Sequence, residues 1–215
     1  MLYFNGYIIF MYTKKQQELI QYTRKKVIRY FDKHRAPGHG SDHATRVASW
    51  AVKIAKAEKS NIFLCEMAGW LHDVGRVPEH GSDGTKSHHE FSYEICQDWF
   101  RNDSEFKKLT KKEKLILLYS IRYHWNNAAD KYVEAIILRD ADKMDLFGKI
   151  GIKRTEEFFN YDKHKINLNI RLRANNAFWI RTKTARNFFN KYKMFDPIYK
   201  YELKNLKSQI KSVEL

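Results

Sequence analysis

Residues 65–76 read CEMAGWLHDVGR, and this stretch decides the fold. Cys65, Ala68 and His72 are spaced as residues on one face of a helix. The imidazole of His72 is therefore predicted to lie on the apolar face of that helix. Neighbouring helical side chains point about 100° apart, so His72 and Asp73 can reach one ion only near a helix end. Gly75 supplies that end. The stretch therefore predicts a helix that presents two polar groups to a buried site.

Three more predicted helices each carry one His or Asp on an apolar stripe. The stripes are His43 with Val47, Trp50 and Ile54; His124 with Leu117 and Ile121; and Asp142 with Leu138 and Leu146. A lone inward histidine is usually a hydrogen-bonded core residue. A buried ionised aspartate, in contrast, is costly unless it is paired or bound to a metal. Four helices that converge in this way indicate a divalent-metal site.

The rest of the chain also favours helices. It has only three prolines and nine glycines in 215 residues, too few for a turn-rich β architecture. Capping-box pairs are predicted at Thr13 with Gln16, Ser87 with Glu90 and Thr110 with Glu113. Further helices are predicted over residues 130–150, 173–192 and 197–211, with a loop at 80–84. The expected fold class is all-α.

Three segments resemble the HD-domain superfamily of metal-dependent phosphohydrolases, in the family's order and spacing. Residues 41–47 (SDHATRV) resemble its first-ligand helix, residues 68–76 (AGWLHDVGR) its central motif, and residues 138–145 (LRDADKMD) its final-aspartate helix. Residues 147–152 (FGKIGI) are similar to a subgroup of small bacterial HD hydrolases. The resemblance covers about residues 15–155 and implies a compact helical bundle with additional basic C-terminal helices.

The resemblance implies one divalent metal (Mn, Fe, Co, Ni, Zn or Mg) with four ligands: His43, His72, Asp73 and Asp142. Asp140 is the rival for the last position, because the motif reads Asp-Ala-Asp. We prefer Asp142, which matches the family position and shares an apolar stripe. Asp140 and Asp145 are then expected to support the ligands or to form salt bridges.

Two more histidines enlarge the predicted site. Residues 88–92 (HHEFS) resemble the extra-histidine helix of two-metal members, in which His88 is favoured over His89. His124 resembles the fifth position of those enzymes. The two histidines either bind a second metal, or hold substrate and transfer protons, or serve structure alone. With Asp73, we take His88 and His124 as the predicted catalytic residues.

Such a site suits phosphate hydrolysis. A divalent metal lowers the pKa of water and neutralises phosphoryl oxygens, and Asp73 is placed to orient that water or accept its proton. Lys143, Arg46 and Arg76 are the predicted phosphate-binding cations. Each has the alternative role of an ordinary surface charge.

The predicted organisation is an apolar segment over residues 1–12, an HD-type catalytic domain over 13–155 and a basic helical extension over 156–215 packed on the same domain. The first segment, MLYFNGYIIFMY, is shorter than the roughly 20 residues that span a bilayer and lacks the positive region of a signal peptide. We expect a buried strand or helix-edge segment there, with Met11 as an alternative start. Cys65 and Cys96 are expected to be reduced core thiols of a cytoplasmic protein.

The net charge is +15, and residues 151–215 contain 15 Lys and Arg against 6 Asp and Glu. Such a basic region attracts nucleotides or nucleic acid, or else forms a solubilising face. The leading hypothesis is a hydrolase of phosphomonoesters or phosphoanhydrides of small molecules, nucleotides above all. The alternatives are a phosphodiesterase or nuclease acting on cyclic nucleotides or single strands, a non-catalytic metal-containing nucleic-acid-binding protein, and a di-iron oxygenase. No residue pattern specifies the oligomeric state.

Overall fold

The computed structural model describes residues 2–4, 7–9, 12–34 and 36–213. Strands β1 (Leu2–Phe4) and β2 (Tyr7–Ile9) pair in antiparallel fashion. The helices are α1 (Lys14–Lys33), α2 (Ser41–Ala57), α3 (Ile62–Leu71), α4 (Arg76–His80), α5 (His88–Asn102), α6 (Lys111–Arg122), α7 (Val133–Met144), α8 (Gly148–Phe158), α9 (Lys163–Phe178), α10 (Lys183–Lys191) and α11 (Asp196–Val213), with a short 3-10 turn at Phe106–Lys108. The predicted helical fold class is confirmed. A strand or a helix-edge segment was expected at the N-terminus, and the described residues there form strands.

Helix α3 is the centre of the core. Apart from Glu66, every residue from Phe63 to Leu71 is buried, and the helix packs against α1, α2, α6 and α7. A helix that is apolar all round is typical of such a position. Cys65 and Cys96 both lie in this core, as expected.

Two of the three predicted capping boxes are confirmed, at Thr13 and at Thr110. The third is wrong: Ser87 precedes α5 but makes no capping hydrogen bond. Its hydroxyl instead lies 2.8 Å from Nε2 of His89. The side chain that was expected to cap the helix is therefore engaged by the second histidine of the helix.

Two predicted helices are each broken in two. The helix predicted over residues 130–150 ends at Met144, and α8 begins at Gly148, which has a φ of +72°. The helix predicted over 173–192 is interrupted between α9 and α10. Asp140 of α7 fixes this second break, because its carboxylate accepts hydrogen bonds from the backbone N–H groups of Arg181 and Thr182 and from the Thr182 hydroxyl.

The C-terminal helices pack on the helices that precede them. Phe147, at the start of α8, forms a small second core with Ile166 and Ile170 of α9 and Ile198 of α11. Helix α10 contacts α2 and α7. Among the described helices, none has the length and apolar character needed to cross a membrane.

Candidate metal centre

Asp73 lies at the centre of a cluster of imidazoles. Its carboxylate belongs to two groups whose ligand atoms all lie within 4.8 Å of one another: Asp73 with His43 and His72, and Asp73 with His88 and His124. Oδ2 faces the first pair, at 3.4 Å from Nε2 of His43 and 3.6 Å from Nε2 of His72. Oδ1 faces the second pair, at 3.7 Å from Nε2 of His88 and 3.6 Å from Nε2 of His124. One carboxylate thus joins two imidazole pairs from four different segments.

Asp142 adds a second carboxylate on the side of the first pair. Its Oδ1 lies 3.4 Å from Nε2 of His43 and 3.8 Å from Nε2 of His72. About 26% of the Asp142 side chain and 13% of the His88 side chain is exposed. The remaining side chains of the cluster are buried, so solvent and ligands reach it past these two residues.

All four imidazoles are oriented in the same way, through Nδ1. His72 and His124 contact backbone carbonyls of Gly69 and Ile121, at 2.9 and 2.6 Å. His43 and His88 contact carboxylates of Asp145 and Glu79, at 2.8 and 3.1 Å. Because these partners only accept, each Nδ1 carries the proton and each Nε2 of a neutral ring presents a lone pair to the centre.

This arrangement fits a cation. Nε2 of His43 lies 3.2 Å from Nε2 of His72, and the same distance separates the Nε2 atoms of His88 and His124. Oδ1 of Asp73 is buried and has no hydrogen-bond donor among the described residues. Lone pairs that face each other and a buried oxygen without a donor are unfavourable unless a proton or metal ion lies between them. Imidazole and carboxylate are ligands that divalent transition metals share.

The pKa values show how strongly the cluster attracts positive charge. Burial and Arg154 lower the pKa of His43, but hydrogen bonds with Asp142, Asp145 and Asp73 outweigh them and raise it to about 9. At the second pair, burial lowers the pKa of His88 and brings that of His124 to about 4. The second pair therefore offers neutral imidazoles at physiological pH.

Two glycines let the helices approach closely enough to form the cluster. A Cβ on Gly69 would lie 2.6 Å from Cα of Ala48, so the absence of a side chain allows α3 to contact α2. A Cβ on Gly75 would lie 2.1 Å from the carbonyl oxygen of His88. The first contact brings His72 to His43, and the second brings α5 and its histidines to Asp73. Such close packing requires glycine.

Asp145 holds His43 from behind. Its buried carboxylate accepts hydrogen bonds from Nδ1 of His43 (2.8 Å), Nε of Arg46 (2.8 Å) and Nη1 of Arg154 (2.9 Å). Although burial raises the pKa of Asp145, these partners outweigh it and lower the pKa. An ionised carboxylate behind a ligating histidine fixes the ring and strengthens it as a ligand.

The predicted metal and catalytic residues are all brought together, and His88 rather than His89 faces Asp73. Asp140, the rival of Asp142, lies away from the cluster and accepts hydrogen bonds from the N–H and hydroxyl of Thr182, the residue that caps α10. Asp145 has the supporting position that was one of its expected roles.

The three predicted phosphate-binding cations lie in different surroundings. Arg46 is engaged by Asp42 and Asp145. Nε of Arg76 lies 3.5 Å from Oδ2 of Asp73, at the cluster itself. Lys143 is buried and makes no ion pair with any residue that the structure describes, and burial lowers its pKa.

Sequence reasoning missed several residues around the cluster. Glu79 orients His88, and His39 lies with its ring 5.5 Å from that of His43. Arg154 reaches Asp145 from α8, and Arg173 lies beside it from α9. For His39 a signal existed, since it precedes His43 by one helical turn. For Arg154 and Arg173 the sequence contained no signal, because the sequence of a basic helix does not show which of its cations point inward.

The comparisons with known proteins agree with this fold. Residues 40–146 match the HD domain family model, so the chain contains an HD domain. HD domains bind divalent metals, and the matched residues include the His43, His72, Asp73 and Asp142 cluster.

Individual relatives are distant. The uncharacterized protein L803 of Acanthamoeba polyphaga mimivirus is 27% identical over 184 residues, which cover 82% of this chain and 76% of that protein. Bacillus subtilis YpgQ has a TM-score of 0.68 at 19% identity, over 90% of this chain and 97% of YpgQ. YpgQ has also been solved in complex with ADP, with a TM-score of 0.60 at 19% identity over 94% and 100% of the two chains. An HD-superfamily hydrolase from Bacillus thuringiensis has a TM-score of 0.62 at 23% identity, over 93% of this chain and 98% of that one. This chain has the fold of these solved structures.

Proposed function

We propose that this protein is a metal-dependent hydrolase of phosphomonoester or phosphoanhydride bonds in small molecules, with nucleotides as the principal class. The observation that carries the proposal is the convergence of four imidazole Nε2 atoms on Asp73. A site of this composition holds one or two divalent cations, and the bound metal makes water a stronger nucleophile and neutralises phosphoryl oxygens.

The first cation would be held by His43, His72, Asp73 and Asp142. His88 and His124 also face Asp73, and their positions fit two alternative roles. They either hold a second cation, with Asp73 as the shared ligand, or accept and return protons through Nε2. Their lowered pKa values favour the role of metal ligand, because a ligating imidazole must be neutral. A proton acceptor works best with a pKa near the working pH.

The positive side chains near the cluster would receive the phosphate. Arg76 contacts Asp73 directly and is therefore the cation best placed for a phosphoryl group at the metal. Lys143 follows Asp142 in α7 and has no carboxylate partner among the described residues. Arg46 is the weaker candidate, since its guanidinium pairs with Asp42 and Asp145 and contacts no residue of the cluster itself. Arg76 also pairs with a carboxylate, that of Glu79, but lies at Asp73.

The proposal of a nucleotide substrate rests on two supports. YpgQ, which shares the fold, has been crystallised with ADP. The chain also carries a net charge of +15, which favours anionic ligands. The nucleic-acid alternatives have less support, because two arginines of the basic C-terminal third, Arg154 and Arg173, are buried rather than displayed on a strand-binding face.

A panel of phosphorylated small molecules, each assayed with several divalent metals, tests the proposal. We expect metal-dependent release of phosphate or pyrophosphate from at least one nucleotide. Asp73→Asn should abolish the release and lower the bound metal measured by atomic emission. If Asp73→Asn retained both metal content and activity, the proposed site would be wrong.

Two adjacent histidines of α5 provide a matched pair of variants. His88→Gln removes an imidazole of the cluster and should reduce kcat by about 100-fold or more, the range of general acid–base catalysis. His89 stacks on Trp125 and does not belong to either ligand group, so His89→Gln should leave kcat within about twofold. Equal losses in the two variants would contradict the assignment of His88.

A further inference from the structure

A cavity of about 280 Å³ lies beside the metal centre, where α8 and α9 meet α4. Its wall carries four basic side chains: His39, Arg76, Arg154 and Arg173. Among the described residues, no Asp or Glu lines it. Arg76 connects the two places, since it lines the cavity and also lies 3.5 Å from Asp73.

Arg173 is a buried cation without a carboxylate partner among the described residues. It is 5% exposed, and its guanidinium bonds only to neutral groups, the carbonyl of Leu146 and the side chains of Thr155 and Asn169. Burial and the nearby Arg154 lower the pKa of Arg173 to about 10. A buried charge is costly when no opposite charge accompanies it.

The other two guanidiniums have donors to spare. Each guanidinium carries five N–H groups. Arg154 uses Nε on the carbonyl of Gly38 and Nη1 on Asp145, and its Nη2 has no partner among the described residues. Nε of Arg76 is buried and lacks an acceptor there too.

Three helices thus supply guanidiniums to one space. Arg76 pairs with Glu79 and Arg154 with Asp145, each at 2.9 Å, whereas Arg173 has no carboxylate partner among the described residues. Nη2 of Arg154 and Nε of Arg76 still lack acceptors within the described part of the chain.

We propose that this cavity is an anion site, separate from the metal ligands, that binds a phosphate group through Arg76, Arg154 and Arg173. Forked guanidinium donors match the oxygens of phosphate, and these charge-assisted hydrogen bonds are the strong ones. The volume lies just below the roughly 300–1,000 Å³ of sites for whole small molecules, which suits a phosphate group rather than a complete nucleotide. The site requires neither metal nor turnover and so goes beyond the proposed function.

Isothermal titration calorimetry with inorganic phosphate tests the site on the full chain, both as purified and after metal removal. We expect one phosphate per chain in both preparations. Binding that appears only with metal present would place the anion on the metal and overturn the proposal, as would no binding at all. Because no hydrolysis is measured, failure here is distinguishable from failure of the proposed function.

Variants of one helix provide the control. Arg173→Gln removes the unpaired charge and should weaken phosphate binding by about tenfold or more. Arg171, also in α9, is exposed and pairs with Glu202 at 3.1 Å, so Arg171→Gln should leave the affinity unchanged. Arg76→Gln, at a partly exposed position, repeats the test in case the buried substitution unfolds the chain, and thermal melting identifies the folded variants. Unchanged affinity in the folded Arg76→Gln and Arg173→Gln proteins would refute the site.

The bound group has two possible sources, free phosphate or a second phosphoryl group of a substrate held at the metal. Titration of a nucleoside diphosphate into metal-loaded protein, with and without saturating phosphate, separates them. Competition identifies the substrate's own phosphoryl group, and simultaneous binding identifies free phosphate. In the first case the competition, and in the second case the separate phosphate binding, should disappear in Arg173→Gln; persistence of either would count against the cavity.

Discussion

Asp145→Asn would test whether the carboxylate behind His43 positions the metal ligand. The substitution keeps the shape of the side chain but removes its charge and replaces one oxygen by an amide donor. That side chain faces three donors: Nδ1 of His43 at 2.8 Å, Nη1 of Arg154 at 2.9 Å and Nε of Arg46 at 2.8 Å. In the variant, donor would therefore face donor.

The expected loss follows from burial. Asp145 is 4% exposed and Arg154 6%, and removing one partner of a buried ion pair costs about 3–5 kcal/mol. Arg46 is about one-quarter exposed and contributes less, because solvent screens it. We therefore expect a decrease of about 3 kcal/mol in the free energy of unfolding. Metal affinity should fall by about 10- to 100-fold, the range for partners of metal-binding histidines.

Urea unfolding of the metal-free protein and competitive metal titration measure these two quantities. Asp140→Asn is the matched control, since Asp140 is also buried on α7 but accepts hydrogen bonds from Arg181 and Thr182, just before α10. Replacing one acceptor oxygen by an amide donor there should cost about 1–3 kcal/mol and leave the metal affinity unchanged. If Asp145→Asn bound metal as tightly as wild type, the positioning role would be refuted. The same holds if Asp140→Asn lost as much metal affinity.

Two predictions concern the packing and the protonation of the cluster. Gly69→Ala would place a Cβ 2.6 Å from Cα of Ala48, and we expect about 1–3 kcal/mol of destabilisation and weaker metal binding. In Gly81→Ala the Cβ would make only an ordinary contact, 4.0 Å from the Pro78 carbonyl oxygen, so melting and metal titrations should show no change. The raised pKa of His43 stabilises the metal-free protein fully below its unfolded value of 6.5, and this contribution is lost as pH rises through about 9. Unfolding across this range should therefore show a decline of up to about 3 kcal/mol without metal and a smaller one with metal bound; equal declines would contradict the assignment.

The residues of the cluster could be predicted from the sequence because each obeys a local rule. His43, His72, His124 and Asp142 repeat on apolar stripes, and periodicity alone places them inward. The choice of Asp142 over Asp140 needed the family resemblance, since both are in the same short motif. The structure supplies the physical difference: Asp140 is saturated by three donors from the segment before α10.

The helix breaks could not be predicted in this way. Helical spacing continues through residues 145–147 and 179–182, so the sequence reads as two long helices. The second break depends on Asp140, about 40 positions earlier in the chain. The first is fixed by Gly148 in a left-handed conformation and by its N–H bond to the carbonyl of Met194. Both interruptions are tertiary effects that override local propensity.

The breaks also explain why part of the basic C-terminal third is internal. Because the chain turns after Met144, Arg154 of α8 reaches both Asp145 and the carbonyl of Gly38. Arg173 then donates to the carbonyl of Leu146 in the same turn. A continuous line of contacts thus runs from Arg154 through Asp145 to His43. The C-terminal helices are therefore structurally coupled to the metal centre, and a cation in α8 contributes to the orientation of a ligand in α2.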